Sequence, residues 1–238
     1  MRSSARVLII GVGGLGCPAL LALARSRVGT IGLCDDDVVD RTNLHRQILF
    51  SDADVGESKL GVAAREARRI APEAAVRLHR TRLLPDNALE IVRNYDVVLE
   101  GSDNFATKFL ASDACMIAGV PIVHASAVRW MGIVMAVSAS GRPCYRCIFE
   151  DIPRDGAPAC AEAGVMGPVV GTIAAIQVDL AIATLDGLPV GGQIAMFDGR
   201  SDSVRRRRLA PRDDCPLCGA ERRIRHLEAA SYSSPACA

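Results

Sequence analysis

The sequence predicts an α/β fold: a doubly wound, mostly parallel sheet that continues into antiparallel strands and is clipped by a cluster of four cysteines. Three observations predict it. Short aliphatic runs alternate with helix-length segments as far as residue 127, the pattern of a parallel sheet covered on both faces. A glycine-rich turn follows the first of those runs. Two Cys-x-x-Cys pairs, Cys144/Cys147 and Cys215/Cys218, bracket the second half of the 238-residue chain.

Taken in order, Val7-Leu8-Ile9-Ile10 is a continuous apolar run, as a buried parallel strand requires. Gly11 to Gly16 form the turn and Leu15 to Arg25 the helix after it. Thr30 to Asp35 read as the second strand, ending in Asp35, Asp36 and Asp37. Lys59 to Ile70 read as a helix stopped by Pro72, because the residue before a proline disfavours helical geometry. Val76–Arg80, Asp96–Glu100 and Ile122–Ala127 are further strands, with a helix over Phe105–Ala118. Met131–Ser138 follows its predecessor with no intervening helix, so it is expected to run antiparallel. A polar loop from Glu150 to Gly164 leads to an apolar helix over Val169–Leu185. Ile194–Phe197 and Val204–Leu209 close the sheet, and residues 229–238 read as a disordered tail.

Half the residues are hydrophobic and aromatics are few, so the core is expected to be aliphatic. A net charge of +1 gives no bulk reason to expect nucleic acid or membrane as a partner. The run Arg205–Arg208 is the local exception, read as a solvated edge, a local acidic contact or a partner-docking patch. The longest apolar stretch, Val165–Ile176, is too short for a membrane span and is followed by Gln177 and Asp179, which suits a buried or interface helix. Nine cysteines with no export signal suggest a reducing, cytoplasmic setting, where paired Cys-x-x-Cys means metal or redox chemistry more often than disulfides.

The motif Gly11-x-Gly13-Gly14-x-Gly16, between a strand and a helix, is the Rossmann-like arrangement that lets backbone approach a phosphate at a helix N-terminus. Asp35, at the end of the second strand, is placed to accept hydrogen bonds from a ribose. To this point an NAD-dependent oxidoreductase fits equally well. Asn43, Arg46, Gln47 and Lys59 shift the reading, since two cations and two amides suit a triphosphate better than a dinucleotide. Asp103 and Asn104 lie just past the fourth strand, at the carboxyl edge where ligands bind. A carboxylate beside phosphate needs a cation between them, and Mg²⁺ fills that role. The plainer reading makes Asp103 the N-cap of the following helix. Four thiolates with two-residue gaps suit a closed tetrahedral Zn²⁺ site, with redox pairs or an iron–sulfur cluster as the other readings. His45, His79, His124 and His226 show no metal spacing and are expected to be structural or exposed.

These stretches, with Ser102-Asp103-Asn104, Cys144-Tyr145-Arg146-Cys147, Gly164–Gly171 and Cys215-Pro216-Leu217-Cys218-Gly219, resemble the MoeB/ThiF/HesA family of bacterial adenylyltransferases related to ubiquitin-activating enzymes. The resemblance runs from about Val7 to Gly219. It implies ATP- and Mg²⁺-dependent adenylation of the C-terminal glycine of a small ubiquitin-like sulfur carrier ending in Gly-Gly, with release of pyrophosphate. By position it implies that Gly14 approaches the nucleotide and Asp35 holds the ribose. Asn43, Arg46 and Lys59 would contact phosphates beside Gln47, Asp103 would bind Mg²⁺, and Cys144, Cys147, Cys215 and Cys218 would hold a structural zinc. It divides a single domain, 1–228, into a nucleotide-binding half (1–127) and a carrier-binding, zinc-containing half (128–228). A homodimer and a separate sulfur-donor protein are implied as well. Cys160, in the Gly/Pro-containing loop, is the candidate for covalent transfer through a persulfide-linked or thioester-like bond. Non-catalytic carrier binding, or adenylation of another peptide carboxylate, remain the alternatives.

The sequence departs from the family pattern in two places. Members carry an Arg-Tyr-x-Arg-Gln segment before the first strand, whereas only Met1–Arg6 precede Val7 here, leaving Arg2 or Arg6 as substitutes. A lost charge-assisted phosphate contact costs about 1.5–3 kcal/mol. Lys108 stands where an arginine is common and lacks the planar fork.

Overall fold

The computed structural model describes residues 2–152 and 164–232. Eight strands form one sheet in the order β3-β2-β1-β4-β5-β6-β7-β8. Strands β1 (Arg6–Ile10), β2 (Thr30–Cys34), β3 (Ala75–His79), β4 (Val97–Glu100) and β5 (Ile122–Val128) are mutually parallel. Strands β6 (Met131–Val137), β7 (Gln193–Asp198) and β8 (Ser203–Arg208) extend the sheet antiparallel. The expected succession of parallel strands followed by antiparallel ones is therefore found, with strand ends displaced by a residue or two.

Helices α1 (Gly16–Ala24), α2 (Lys59–Ile70) and α5 (Gly167–Leu185) cover one face of the sheet. Helices α3 (Ala88–Val92) and α4 (Phe105–Ala118) cover the other. Strand β1 shows why both faces must be covered. Val7 and Ile9 enter the first core while Leu8 and Ile10 enter the second, so a continuous apolar run fills both layers. α4 ends at Gly119, whose φ of +70° is the left-handed conformation that terminates helices at glycine. α5 is long and apolar enough by composition to cross a bilayer, yet Ile173, Ala174, Gln177 and Ala181 are buried in the core. Gln177 settles the matter of its setting: its amide donates to the carbonyls of Glu100 (2.9 Å) and Val123 (2.8 Å) where β4 and β5 meet.

Two elements differ from the sequence reading. The short helix α3 was not anticipated, since five residues are too few to show a period. The start of the supposed disordered tail is ordered: Ala229–Tyr232 form a 3-10 turn with Tyr232 buried. A distant partner causes this, because the Tyr232 hydroxyl donates to Asp113 Oδ2 at 2.8 Å on α4.

Candidate functional site

Strand order reverses between β1 and β4, and a cleft of about 590 Å³ opens there at the carboxyl edge of the sheet. Its floor is the turn after β1. Gly11 has φ +85°, and a Cβ at Gly16 would fall 2.1 Å from the Gly11 carbonyl, so both positions require glycine. Gly16 thus closes the turn from behind, while Gly11, Gly13 and Gly14 line the cleft. Asp35 locks the turn by accepting from the backbone N–H of Val12 (2.7 Å) and Asp37 (2.8 Å). Burial nevertheless pushes its pKa up, which marks a carboxylate in a sheltered wall.

The next wall comes from the segment after β2. Asp40 caps a 3-10 turn, Arg41–Asn43, and brings Arg46 and Gln47 over the glycines. Asn43 is not itself in the cleft wall. Its Oδ1 accepts from Arg46 Nη2 and so orients the guanidinium. Gln47 is buried, and its Oε1 has no partner among the described residues, an orphaned acceptor beside the glycine turn. Lys59, the first residue of α2, is also buried and reaches Asp37 Oδ2 at 2.8 Å. The sequence reading overlooked Arg82, which follows β3 at the same edge, lines the cleft and pairs with Asp36 at 3.1 Å. Its place directly after a strand was the available signal.

At the end of β4, Asp103 and Asn104 line the cleft and are exposed. The cap of α4 is Asn104, accepting from Thr107 N at 2.8 Å, so the reading of Asp103 as the N-cap is corrected and its carboxylate is left to the cleft. Asp103 stands apart from the acidic group Asp35, Asp36 and Asp37. Behind this loop lies a buried charge cluster. Glu100 accepts from Ser102 N (2.7 Å) and its hydroxyl, from Lys108 Nζ (2.8 Å), and faces His124 Nδ1 (3.2 Å). Burial would raise the Glu100 pKa, but Lys108 and His124 outweigh it and hold it at about 2. Lys108 is thus a core residue with a second acceptor, the Ala125 carbonyl, and its difference from arginine falls outside the cleft. The four histidines are structural or exposed, as expected: His79 meets Tyr95 Oη at 2.6 Å, His124 is buried, and His45 and His226 are at the surface. Arg2 and Arg6 do not reach the cleft, because they pair with Asp186 and Asp96 at the amino edge of the sheet.

The four cysteines converge. Cys144 Sγ lies 4.0 Å from Cys147 and 3.5 Å from Cys215, and Cys147 Sγ lies 3.4 Å from Cys218. Ligands at about 2.3 Å on a tetrahedron stand roughly 3.8 Å apart, so the group fits Zn²⁺ with every position filled. Without a cation, burial and the neighbouring sulfurs push the Cys144 thiol up, a conflict that a divalent metal resolves. Between the first two ligands, Arg146 is buried and grips Asp113 with Nε (3.0 Å) and Nη2 (2.9 Å). Cys160 lies outside the described residues.

A glycine-turn cleft at the switch point of a doubly wound sheet, with an appended cysteine knuckle, defines a Rossmann-like α/β protein. The ThiF family model matches residues 1–217, and the chain belongs to the ThiF family. It is 41% identical over 230 residues to "Adenylyltransferase and sulfurtransferase MOCS3" of Mus musculus, covering 95% of this chain and 50% of that protein. It is likewise 41% identical over 239 residues to "Adenylyltransferase and sulfurtransferase uba4" of Aspergillus terreus, covering 93% and 49%. The chain spans about half the length of the curated relatives it matches. The fold is also that of E. coli MccB with MccA-N7isoASN, at a TM-score of 0.81 and 23% identity over 92% of this chain and 68% of that one. MccB crystallised with ATP gives 0.79 at 24%, covering 92% and 68%. Family membership sets aside the NAD oxidoreductase reading.

Proposed function

We propose that this chain adenylates the C-terminal glycine carboxylate of a small ubiquitin-like sulfur-carrier protein, consuming ATP and releasing pyrophosphate, as the activation step for sulfur transfer. The observation that carries the reading is the gathering of Gly11, Gly13, Gly14, Asp35, Arg46, Gln47, Lys59 and Asp103 around one cleft, in a family with relatives named adenylyltransferase and sulfurtransferase.

The roles follow from charge. Backbone N–H groups at the start of α1 face the phosphates, with Asp35 beneath them for the ribose hydroxyls. Arg46, oriented by Asn43, and Lys59 neutralise phosphate charge, and Gln47 offers its amide. A carboxylate attacking phosphorus meets an anion, so the barrier falls through positioning and neutralisation rather than through a protein base. Asp103, one exposed oxygen donor at the phosphate end, suits Mg²⁺ shared with phosphate oxygens, which would supply further neutralisation. The four cysteines would hold zinc as a structural clip remote from this chemistry. A homodimer partner and a separate sulfur donor complete the proposal.

Carrier-dependent ATP–pyrophosphate exchange tests the reading. Exchange is expected with a Gly-Gly-ending carrier and to fall by about 100-fold or more in Asp103→Ala. Normal exchange in that variant removes the Mg²⁺ role. ATP binding without exchange, across a panel of carriers, favours a non-catalytic carrier-binding module.

A further inference from the structure

Three carboxylates, Asp35, Asp36 and Asp37, follow β2, with one oxygen of each within 4.8 Å of the others. Like charges at that spacing repel unless each has a partner. Each has one. Asp35 accepts the backbone N–H groups of Val12 and Asp37, Asp36 takes the Arg82 guanidinium, and Asp37 takes the Lys59 ammonium. The chain itself therefore satisfies the group, and two of the partners are cations that line the cleft.

Lys59 occupies an unfavourable place for a lysine. It is buried, and it is the first residue of α2, where the helix end already carries partial positive charge. The first turn of α2 has no acidic residue, and the Ser58 side chain makes no capping hydrogen bond. Asp37 supplies from another segment the negative charge that this end lacks. Backbone ties hold it there: its carbonyl accepts from Lys59 N at 3.1 Å, and Val38 bridges Ser58 antiparallel. Its own N–H donates to Asp35 Oδ1 at 2.8 Å, so Asp35 and Lys59 are fixed to one short segment. On the far side Arg82 Nη2 stands 3.8 Å from Asp37 Oδ1. Among the described residues, Asp37 Oδ2 is the single hydrogen-bond acceptor of Lys59 Nζ, at 2.8 Å. An ammonium carries three donors, so two remain for the cleft. A buried cation set against local preference and aimed at a cleft is the kind of conflict that functional sites retain.

We propose that Asp37 is a positioning residue for the phosphate contact: its carboxylate holds the buried Lys59 ammonium in the cleft wall with two donors left for an oxyanion. The proposal rests on the adenylation reading of the cleft. An ammonium is a point charge on a flexible stem, and ordering that stem costs free energy when the ligand arrives. Asp37 meets that cost in the free protein, so phosphate finds the cation already placed. A counter-ion that competed with phosphate would have the opposite signature, since its removal would tighten ATP binding.

The test is calorimetric binding of MgATP and of adenosine to the full chain, with ATP–pyrophosphate exchange alongside. Asp37→Ala is expected to weaken ATP by about tenfold and to leave adenosine within about twofold, because adenosine offers Lys59 no oxyanion. Asp37→Asn keeps an acceptor and loses the charge, so its ATP affinity should fall between wild type and Asp37→Ala. If Asp37→Ala loses adenosine as well, Asp37→Asn decides: it must weaken ATP alone, and loss of both ligands overturns the proposal. Lys59→Met closes the cycle. Adding Asp37→Ala to it should cost less than about twofold more, since the two residues act through one contact. Losses that multiply, an unchanged ATP affinity in Asp37→Ala, or tighter ATP binding each overturn the proposal. Wild type that binds no ATP overturns it together with the adenylation reading. Wild type that binds ATP without exchange, with a cycle that does not multiply, sinks adenylation and keeps the positioning role. Exchange in wild type with multiplying losses sinks the positioning role alone.

Discussion

Helix α4 carries two buried ion pairs, and their surroundings differ. Near its start Lys108 meets Glu100, and Glu100 in turn holds both the N–H and the hydroxyl of Ser102 in the cleft wall. Toward its end Asp113 meets Arg146 from the cysteine knuckle and Tyr232 from the last described turn. The first pair lies within the parallel half and fixes the Ser102 loop in the cleft wall. The second joins the two halves and fixes nothing that lines the cleft, apart from Tyr232 at its margin. One helix thus serves chemistry at one end and assembly at the other, and damage at the two ends should read out differently.

Metal removal should separate the halves most strongly. A structural zinc contributes on the order of 10 kcal/mol to folding. Chelation, or Cys144→Ser, is expected to expose the second half to protease while the α/β half keeps much of its far-UV dichroism. Uniform loss of both halves would show that the two cannot fold apart. The ion pairs come next. Removing one partner of a buried pair costs about 3–5 kcal/mol because the other charge is left uncompensated. Lys108→Ala and Arg146→Ala should therefore lower the Tm by comparable amounts. Their ligand responses should diverge, Lys108→Ala weakening ATP affinity through Ser102 and Arg146→Ala weakening zinc retention. Calorimetry with ATP and a zinc-release assay check this; identical profiles would erase the distinction.

This division also explains what the sequence disclosed. The parallel half was legible because its determinants are local: the aliphatic run of β1, the glycines of the turn, and Pro72 after α2. Helix α2 and helix α4 have the limits that the pattern gives them. The cysteine cluster was legible through spacing alone. Long-range polar contacts were not. Nothing near Tyr232 in sequence announces Asp113, so the tail looked disordered. Lys108 showed in the sequence only as a lysine where an arginine is common, and its core setting emerges from Glu100 and the Ala125 carbonyl around it. Arg82 was missed because its partner, Asp36, comes from a different strand end.

Acid should find the cleft-side cluster. Glu100 titrates near 4.5 when unfolded and at about 2 in the fold. The unfolded chain thus binds more protons in this window, and stability falls as pH drops from 4.5 toward 2. The difference of about 2.5 units corresponds to roughly 3 kcal/mol. Burial also lowers the His124 pKa below its ordinary 6.5, so this group withdraws stability in the same direction, starting at higher pH. Denaturant titrations of wild type and Glu100→Gln should converge as pH falls through this window. A constant gap would mean that Glu100 is not held ionised by its neighbours. Any acid-driven loss of zinc is common to both proteins and leaves the difference intact.

The smallest effect belongs to the assembly end. Tyr232→Phe removes one hydrogen bond to Asp113 and keeps the ring, while Arg146 still grips both carboxylate oxygens. A hydrogen bond to a charged group is worth about 1.5–3 kcal/mol, and the remaining partners place this one at about 1.5. The hydroxyl cannot share the charge, since burial pushes its pKa well above the usual phenol range. Urea unfolding should register the loss without a change in m-value, because the same surface is exposed on unfolding. The ring also borders the cleft, so the variant should leave ATP affinity unchanged while Tyr232→Ala alters it. If Phe weakens ATP binding as much as Ala does, the hydroxyl reaches the nucleotide side, and the two ends of α4 are coupled through the tail rather than separate.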